Sequence, residues 1–336
     1  MPIVSVIIPA YNSAEFIGEA IDSLLKQTLH DLEIIVVDDG SDDTTYSIAE
    51  SRATSDARIK LIRRGNGRGG AASARNAGLA IASGEYIALL DADDIALPDR
   101  LATMVNAMRN AHAEIGFADM VRLDMRTGVR EKTGILGQYG FLNDAASYLA
   151  SEGSATFSCR PDFLGFMLAH HWVVSVPTIV WSRALLEQEP VWFDEALICG
   201  EDIDLFLRLA ARARMVFVNE VVAVVRKHAQ SLTSTAPVTT IVDGAKVRER
   251  HLARFRDRLR PSDVVAAQNF IAHAWWEVGY ASWEAGGTGE ARSRFRRSFK
   301  MRRSRAAAIG YVKAFFPRRT LVNLLRGGAA SDAGVA

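Results

Sequence analysis

Short, unbroken apolar runs alternate with helical-period stretches through the first third of the chain. Residues 4–9 form a β-branched run, residues 14–26 repeat apolar positions at helical spacing, and residues 32–37 are apolar apart from Glu33. A polar turn and a helix through Ser47 and Ala49 lead to a third strand at 59–62. Residues 71–82 read as a helix and 86–90 as a fourth strand. Apolar strands alternating with helices predict an α/β fold whose mostly parallel sheet is covered on both faces. Ligands of such sheets bind beyond the carboxyl ends of the strands. The polar clusters that terminate each run are therefore where chemistry is expected.

Pro98 opens a further helix to about Arg109, and 113–118 suggest another strand. Between 121 and 161 the pattern weakens into scattered glycines and short helical pieces, which suits variable loops and acceptor contacts. Order returns at 173–181, with a helix start at Arg183, a helix at 201–213 and strands at 215–218 and 221–226. Beyond 240 the chain reads as helical, broken at Gly286-Gly287. The expected division is 1–240 as catalytic domain, with a nucleotide-binding half (1–120) and an acceptor half (121–240). A basic helical region (241–326) and a small, polar, disordered tail (327–336) follow.

Composition narrows the setting. With 336 residues, 49% of them hydrophobic, the chain can bury a large core and carry a second unit. Cys159 and Cys199 lack the number for a disulfide framework and the spacing for a zinc site, so a reducing cytoplasm is expected. Met1-Pro2-Ile3-Val4 leads straight into strand pattern, without the basic region of a signal peptide. No stretch approaches the roughly 18 apolar residues of a spanning helix.

The net charge of +1 conceals a split: residues 241–336 carry 19 Lys/Arg against 8 Asp/Glu, a sum of +11, leaving −10 for the rest. Eight of the fifteen residues 291–305 are basic. Interleaved Phe295, Phe299 and Met301, then Ile309, Tyr311, Val312, Phe315 and Phe316, suggest amphipathic helices. Such helices either dock on an anionic membrane surface, at the inner face of the cytoplasmic membrane, or pack as a hairpin with a solvated basic face. No nucleic-acid motif accompanies the charge, and no nucleic-acid partner is expected.

Six clusters carry candidate chemistry, most of them directly after a predicted strand. Asp91 and Asp93 flank Ala92 just past the fourth strand, so both carboxylates can reach one side of its tip and hold Mg²⁺ or Mn²⁺. The same triplet also suits a turn capping the helix after Pro98, with Asp94 in the capping role. Asp38-Asp39-Gly40-Ser41 ends the second strand, where a carboxylate can accept the N3–H of uracil or simply build a strand-to-helix turn. Pro9-Ala10-Tyr11-Asn12 ends the first, and Tyr11 can stack on a base or line an ordinary loop. Gly65, Gly67 and Gly70 match a GxGxxG spacing, but after the third strand rather than the first. Glycine amides, a helix N-terminus and Arg75 still favour a phosphate there. Finally, Glu201 and Asp202 open a helix, where an acid either meets the helix dipole or serves as general base. His228, at a cationic strand end, can ligate metal or meet a diphosphate, or lie on the surface.

Together these residues resemble the family 2 glycosyltransferases, which have the GT-A fold. The matching pieces run from residue 3 to about 235: Val6-Ile7-Ile8-Pro9-Ala10-Tyr11-Asn12, Glu33 through Ser41, Ala74-Arg75-Asn76 with Gly78, the Asp91-Ala92-Asp93 triplet, and Gly200-Glu201-Asp202. The resemblance implies an inverting transfer of hexose from a UDP-sugar to a saccharide or lipid-linked acceptor in bacterial surface polysaccharide synthesis. It implies nucleotide contacts at Pro9, Tyr11, Asn12, Asp39, Gly70, Arg75 and Asp91. Asp93, Asp91 and His228 would hold Mn²⁺ or Mg²⁺, and Asp202 would be the catalytic base with Glu201 beside it. A sugar nucleotidyltransferase would instead need a Gly-rich basic loop after the first strand, where Pro9-Ala10-Tyr11-Asn12 stands. A sugar-nucleotide-binding protein without turnover remains the alternative from another class.

Overall fold

The computed structural model of the chain describes residues 1–65, 69–170, 173–189, 191–231 and 235–316. Asn66, Gly67 and Arg68 of the glycine-rich loop and the expected tail at 327–336 lie outside the described residues. The chain forms two compact units, one of residues 1–167 with 171–235 and one of 168–170 with the chain from 236 onward.

Among the described residues, the first unit is built on an eleven-stranded sheet. Its strands are β1 (Val4–Ala10), β2 (Leu32–Asp38), β3 (Ile59–Arg63), β4 (Tyr86–Leu89), β5 (Ile95–Ala96), β6 (Ile115–Asp124), β7 (Val129–Arg130), β8 (Leu149–Ser151), β9 (Thr156–Cys159), β10 (Ile179–Ser182) and β11 (Met215–Lys227). The order is β3-β2-β1-β4-β10-β6-β11-β9-β8, with β5 on β11 and β7 on β6. β3, β2, β1 and β4 are all parallel. Every residue of β2 is buried, which is why its sequence does not alternate and is apolar apart from Glu33 and Asp38. On one face Val6 and Ile8 pack with Ile17, Ile21 and Leu24. On the other, the Gly70–Ile81 helix lies so close that a Cβ on Gly78 would sit 2.5 Å from Ile7 Cγ2.

Past β4 the sheet becomes mixed. β10 is antiparallel to β4 and β6, while β11 is parallel to β6. Sequence predicts two strands at 215–218 and 221–226; the structure has one, with register shifts on either side of Val221. The exposed pair Asn219-Glu220 supplies the irregularity, and a bulge of this kind bends a strand. Its second half pairs with β5 and delivers Arg226 and His228 to the sheet edge where the parallel strands end.

The stretch that lacked pattern, 121–161, is organised by aromatic side chains. Phe117, Phe141, Phe163 and Phe217 form ring contacts with centroids 4.6 to 6.3 Å apart, and Phe166 and Tyr148 extend the cluster. Buried Asp119 accepts the N–H groups of Leu136 (2.9 Å) and Gly137 (3.1 Å), fixing a four-residue helix, Ile135–Gln138.

The second unit consists of helices Pro237–Phe255, Pro261–Glu284, Thr288–Met301 and Arg305–Lys313. Pro237 and Pro261 stand in the first turn of their helices, where a missing N–H costs nothing. Phe295 is buried against two glycines: a Cβ at Gly279 would meet its ring at 3.0 Å, and one at Gly310 at 2.6 Å. Among the described residues no helix is long and apolar enough to cross a membrane.

Candidate active site

The carboxyl ends of β1, β2 and β4 open into a cavity of about 750 Å³, a volume suited to a nucleotide-sized ligand. Pro9, Tyr11 and Asn12 reach it from β1, and Asp39 from β2. Gly70, Asp91, Asp93 and His228 complete the set of sequence-predicted residues on its wall. Arg75 is not on that wall but behind it, and Glu201 and Asp202 are likewise outside the lining.

At one end the loops after β1 and β2 are stitched together. Asn12 adopts a positive φ of 44°, a region asparagine tolerates better than most residues. Its N–H donates to Ser41 Oγ, and its Oδ1 accepts the Asp42 N–H, each at 3.0 Å. Asp38 is wholly buried, near the Ser41 amide (3.4 Å) and Arg63 (3.8 Å). Asp39 points the other way. One of its oxygens accepts from Arg64 (2.8 Å) and the other from the Gly70 N–H (3.0 Å). Gly70 has φ +75°, so a side chain there would strain the turn that aims this N–H.

Beyond β4, Asp91, Asp93 and Asp94 can bring one oxygen each to within 4.8 Å of one another. Asp91 and Asp93 are about one-third exposed, whereas Asp94 is buried and accepts the Arg226 N–H at 3.2 Å. Burial lifts the Asp94 carboxyl well above the usual range, and the charges of Asp91 and Asp93 add to the effect. Burial also raises Asp91, against the pull of Arg75. Asp93 Oδ2 lies 2.9 Å from His228 Nε2, and the imidazole rests against the Phe16 ring, centroids 4.5 Å apart. Two half-open carboxylates and an imidazole, crowded at one point with excess negative charge, fit a hard divalent cation such as Mn²⁺ or Mg²⁺. Buried Arg226 braces this corner: its side chain donates to the Asp93 carbonyl, pairs with Glu19 and donates to the Phe16 carbonyl at 3.2 Å.

Glu201 and Asp202 begin the Glu201–Ala210 helix after Gly200, whose φ of 79° makes the sharp entry. Glu201 is buried and pairs with Arg75, which also holds Asp91 at 2.8 Å. Burial, together with the neighbouring charge of Asp202, pushes Glu201 up to about 7. Asn76, the next residue after Arg75, receives the Phe193 N–H at 2.9 Å and donates to Glu195 at 2.8 Å. The Ala74-Arg75-Asn76 motif is thus a buried clamp on two segments more than a hundred residues away.

The sequence profile of glycosyl transferase family 2 matches residues 5–158. The chain is 34% identical over 240 residues to the uncharacterized glycosyltransferase EpsJ of Bacillus subtilis, covering 69% of this chain and 63% of EpsJ. The chain belongs to glycosyl transferase family 2. Another relative, the succinoglycan biosynthesis protein ExoO of Rhizobium meliloti, is 36% identical over 206 residues, 60% of this chain and 54% of ExoO. The chain thus spans between half and two-thirds of these relatives' length. The expected GT-A fold is borne out by solved structures. S. aureus TarS 1–349 in complex with UDP-GlcNAc has a TM-score of 0.57 at 21% identity, covering 98% of this chain and 92% of that one. The mannosyltransferase PcManGT of Pyrobaculum calidifontis, in complex with GDP-Man and Mn²⁺, has a TM-score of 0.54 at 22% identity, covering 95% and 83%.

Sequence reasoning missed part of this family 2 cavity. Glu195, Leu197 and Ile198 line one side, and Gln230, Ser231 and Thr235 another. These residues come from loops with no periodic pattern. The one available pointer was Asn76, whose partners in the 193–195 loop were not visible from the sequence.

Proposed function

We propose that the chain transfers a sugar from a UDP-sugar to a saccharide or lipid-linked acceptor during bacterial surface polysaccharide synthesis, with inversion at the anomeric carbon. The observation that carries this reading is the convergence of Asp39, Asp91, Asp93 and His228 on one cavity, with Arg75 tying its metal corner to the Glu201-Asp202 turn. Asp39 would read the uracil edge, with Tyr11 beside the base. Pro9, Asn12 and Gly70 would shape the nucleotide's bed, and Asp91 would face the ribose or sugar.

Asp93, Asp91 and His228 would hold Mn²⁺ or Mg²⁺; a cation there supplies positive charge to the diphosphate leaving group. Asp202 would take the proton of the acceptor hydroxyl as that oxygen attacks the anomeric carbon and the bond to UDP breaks. ExoO supports the polysaccharide setting by its name, TarS the UDP-sugar and PcManGT the metal. The experiment is a panel of UDP-sugars with Mn²⁺ or Mg²⁺, read by release of UDP.

The second unit supports a location for this chemistry. From Ala291 to Phe316 the chain has no acidic residue. Arg296, Lys300, Arg302, Arg303, Arg305 and Lys313 are exposed, as are Phe299, Ile309, Val312, Phe315 and Phe316. Cations interleaved with exposed apolar side chains are complementary to an anionic bilayer. The chain would thus work peripherally at the inner face of the cytoplasmic membrane.

A further inference from the structure

We infer that Arg75 is the positioning residue of this site, a buried fork that holds Asp91, on the donor side, and Glu201, beside the base, in one frame. The inference rests on the glycosyltransferase reading and assigns Arg75 a role other than contact with a nucleotide phosphate. Arg75 is 3% exposed and does not line the cavity. Its Nη2 donates to Asp91 Oδ1 at 2.8 Å and its Nη1 to Glu201 Oε1. Its Nε is buried without a hydrogen-bond partner among the described residues. Among the described residues the hydrogen bonds of the side chain thus go to the two carboxylates, and its guanidinium carbon lies 5.5 Å from the centre of the Phe193 ring.

The chain separations explain the need for such a fork. Asp91 follows β4, whereas Glu201 starts a helix more than a hundred residues later, and the side chain of Arg75 bonds to both. Asp93 and Asp202 add further negative charge close by, which drives the two segments apart unless a cation lies between them. The planar guanidinium presents two N–H edges at fixed angles; a lysine ammonium is a point charge and cannot orient two carboxylates in the same way. The helix that carries Arg75 also gives the Gly70 N–H to Asp39 and holds Phe193 and Glu195 through Asn76. One rigid element thereby fixes the base-reading acid, the metal corner, the catalytic turn and one wall of the cavity in mutual register. Misplacement of about 1 Å in such an arrangement costs about a hundredfold in rate.

The test compares Arg75→Lys with wild type by UDP calorimetry in Mn²⁺, by kcat and KM on whichever UDP-sugar the wild type turns over, and by crystallography with UDP and Mn²⁺. A positioning role predicts a kcat lower by about a hundredfold, with KM and UDP affinity within about threefold. Glu201 should also move away from Asp91 in the crystal. A tenfold or greater loss of UDP affinity with kcat retained would make Arg75 a phosphate ligand and overturn the inference. So would an unmoved Glu201 with unchanged kcat. If Arg75→Lys does not fold, Glu201→Ala, which removes the acceptor for Nη1, must lower kcat without weakening UDP binding; unchanged kcat overturns the inference. A wild type that turns over no donor refutes the glycosyltransferase reading, and the crystallographic result then decides the positioning role alone.

Discussion

Asp38 and Asp39 are adjacent carboxylates put to opposite uses. Strand alternation turns Asp38 into the protein, where it supports the turn to Ser41, and leaves Asp39 on the cavity wall. Asp39→Asn should weaken UDP binding by about tenfold, the loss of one charge-assisted hydrogen bond, and should also lower urea stability, because an amide NH2 then faces either Arg64 or the Gly70 N–H. Asp38→Asn should lower urea stability with UDP affinity retained, and calorimetry beside urea melts separates the two. The placement of Tyr11, Asp39, Asp91 and Asp93 was legible in the sequence because each stands where an apolar run stops. Arg75 was legible as a conspicuous cation but not as a clamp, because its partners come from distant chain segments. Glu195, Gln230 and Ser231 lay in loops whose positions only tertiary contacts determine.

At the scale of elements, the same logic separates what periodicity reveals from what it hides. The parallel strands and their helices were readable because both faces of β1, β2 and β4 are buried. The aromatic cluster of Phe117, Phe141, Phe163 and Phe217 was not, since its rings come from four separate elements. The β11 bulge broke one strand into two apparent ones. Glu33 on β2 shows how buried charge fastens this sheet. Burial opposes its ionisation, but Lys60, Ser5 and Ser83 together outweigh that and hold its carboxyl at about 2, below its ordinary 4.5. Because the folded value is depressed, the stabilisation is complete above about pH 4.5 and is lost as pH falls toward 2. Glu33→Gln should lower stability at pH 7 by on the order of 3 kcal/mol, and the gap from wild type should close on acidification. Urea melts between pH 7 and pH 3 check this; a gap independent of pH would remove the ionised carboxylate from the account.

For the whole molecule, the chain forms two compact units, and the basic stretch of residues 291–305 falls in the second. Sequence could not say which basic and apolar side chains of the second unit stay exposed, because helical period alone does not reveal which face packs. The exposed set on residues 296–316 predicts co-sedimentation with phosphatidylcholine vesicles containing phosphatidylglycerol, and little with phosphatidylcholine alone. Arg302→Glu, Arg303→Glu and Arg305→Glu together should abolish it, and raised salt should weaken it. Equal binding to both vesicle types, or to neither, would leave the basic face as a solvated surface.

The central claim is that one cavity binds a UDP-sugar through a metal corner and transfers the sugar with Asp202 as base. The most direct measurement is UDP release from the UDP-sugar panel in Mn²⁺, made in parallel on wild type, Asp202→Asn and Asp93→Ala, with UDP affinity by calorimetry on each. The account predicts turnover by wild type that stops on chelation. It predicts a loss of at least about a hundredfold in Asp202→Asn with UDP affinity retained, and loss of metal-dependent UDP affinity in Asp93→Ala. Normal turnover by Asp202→Asn, or unchanged Mn²⁺-dependent UDP affinity in Asp93→Ala, would contradict it.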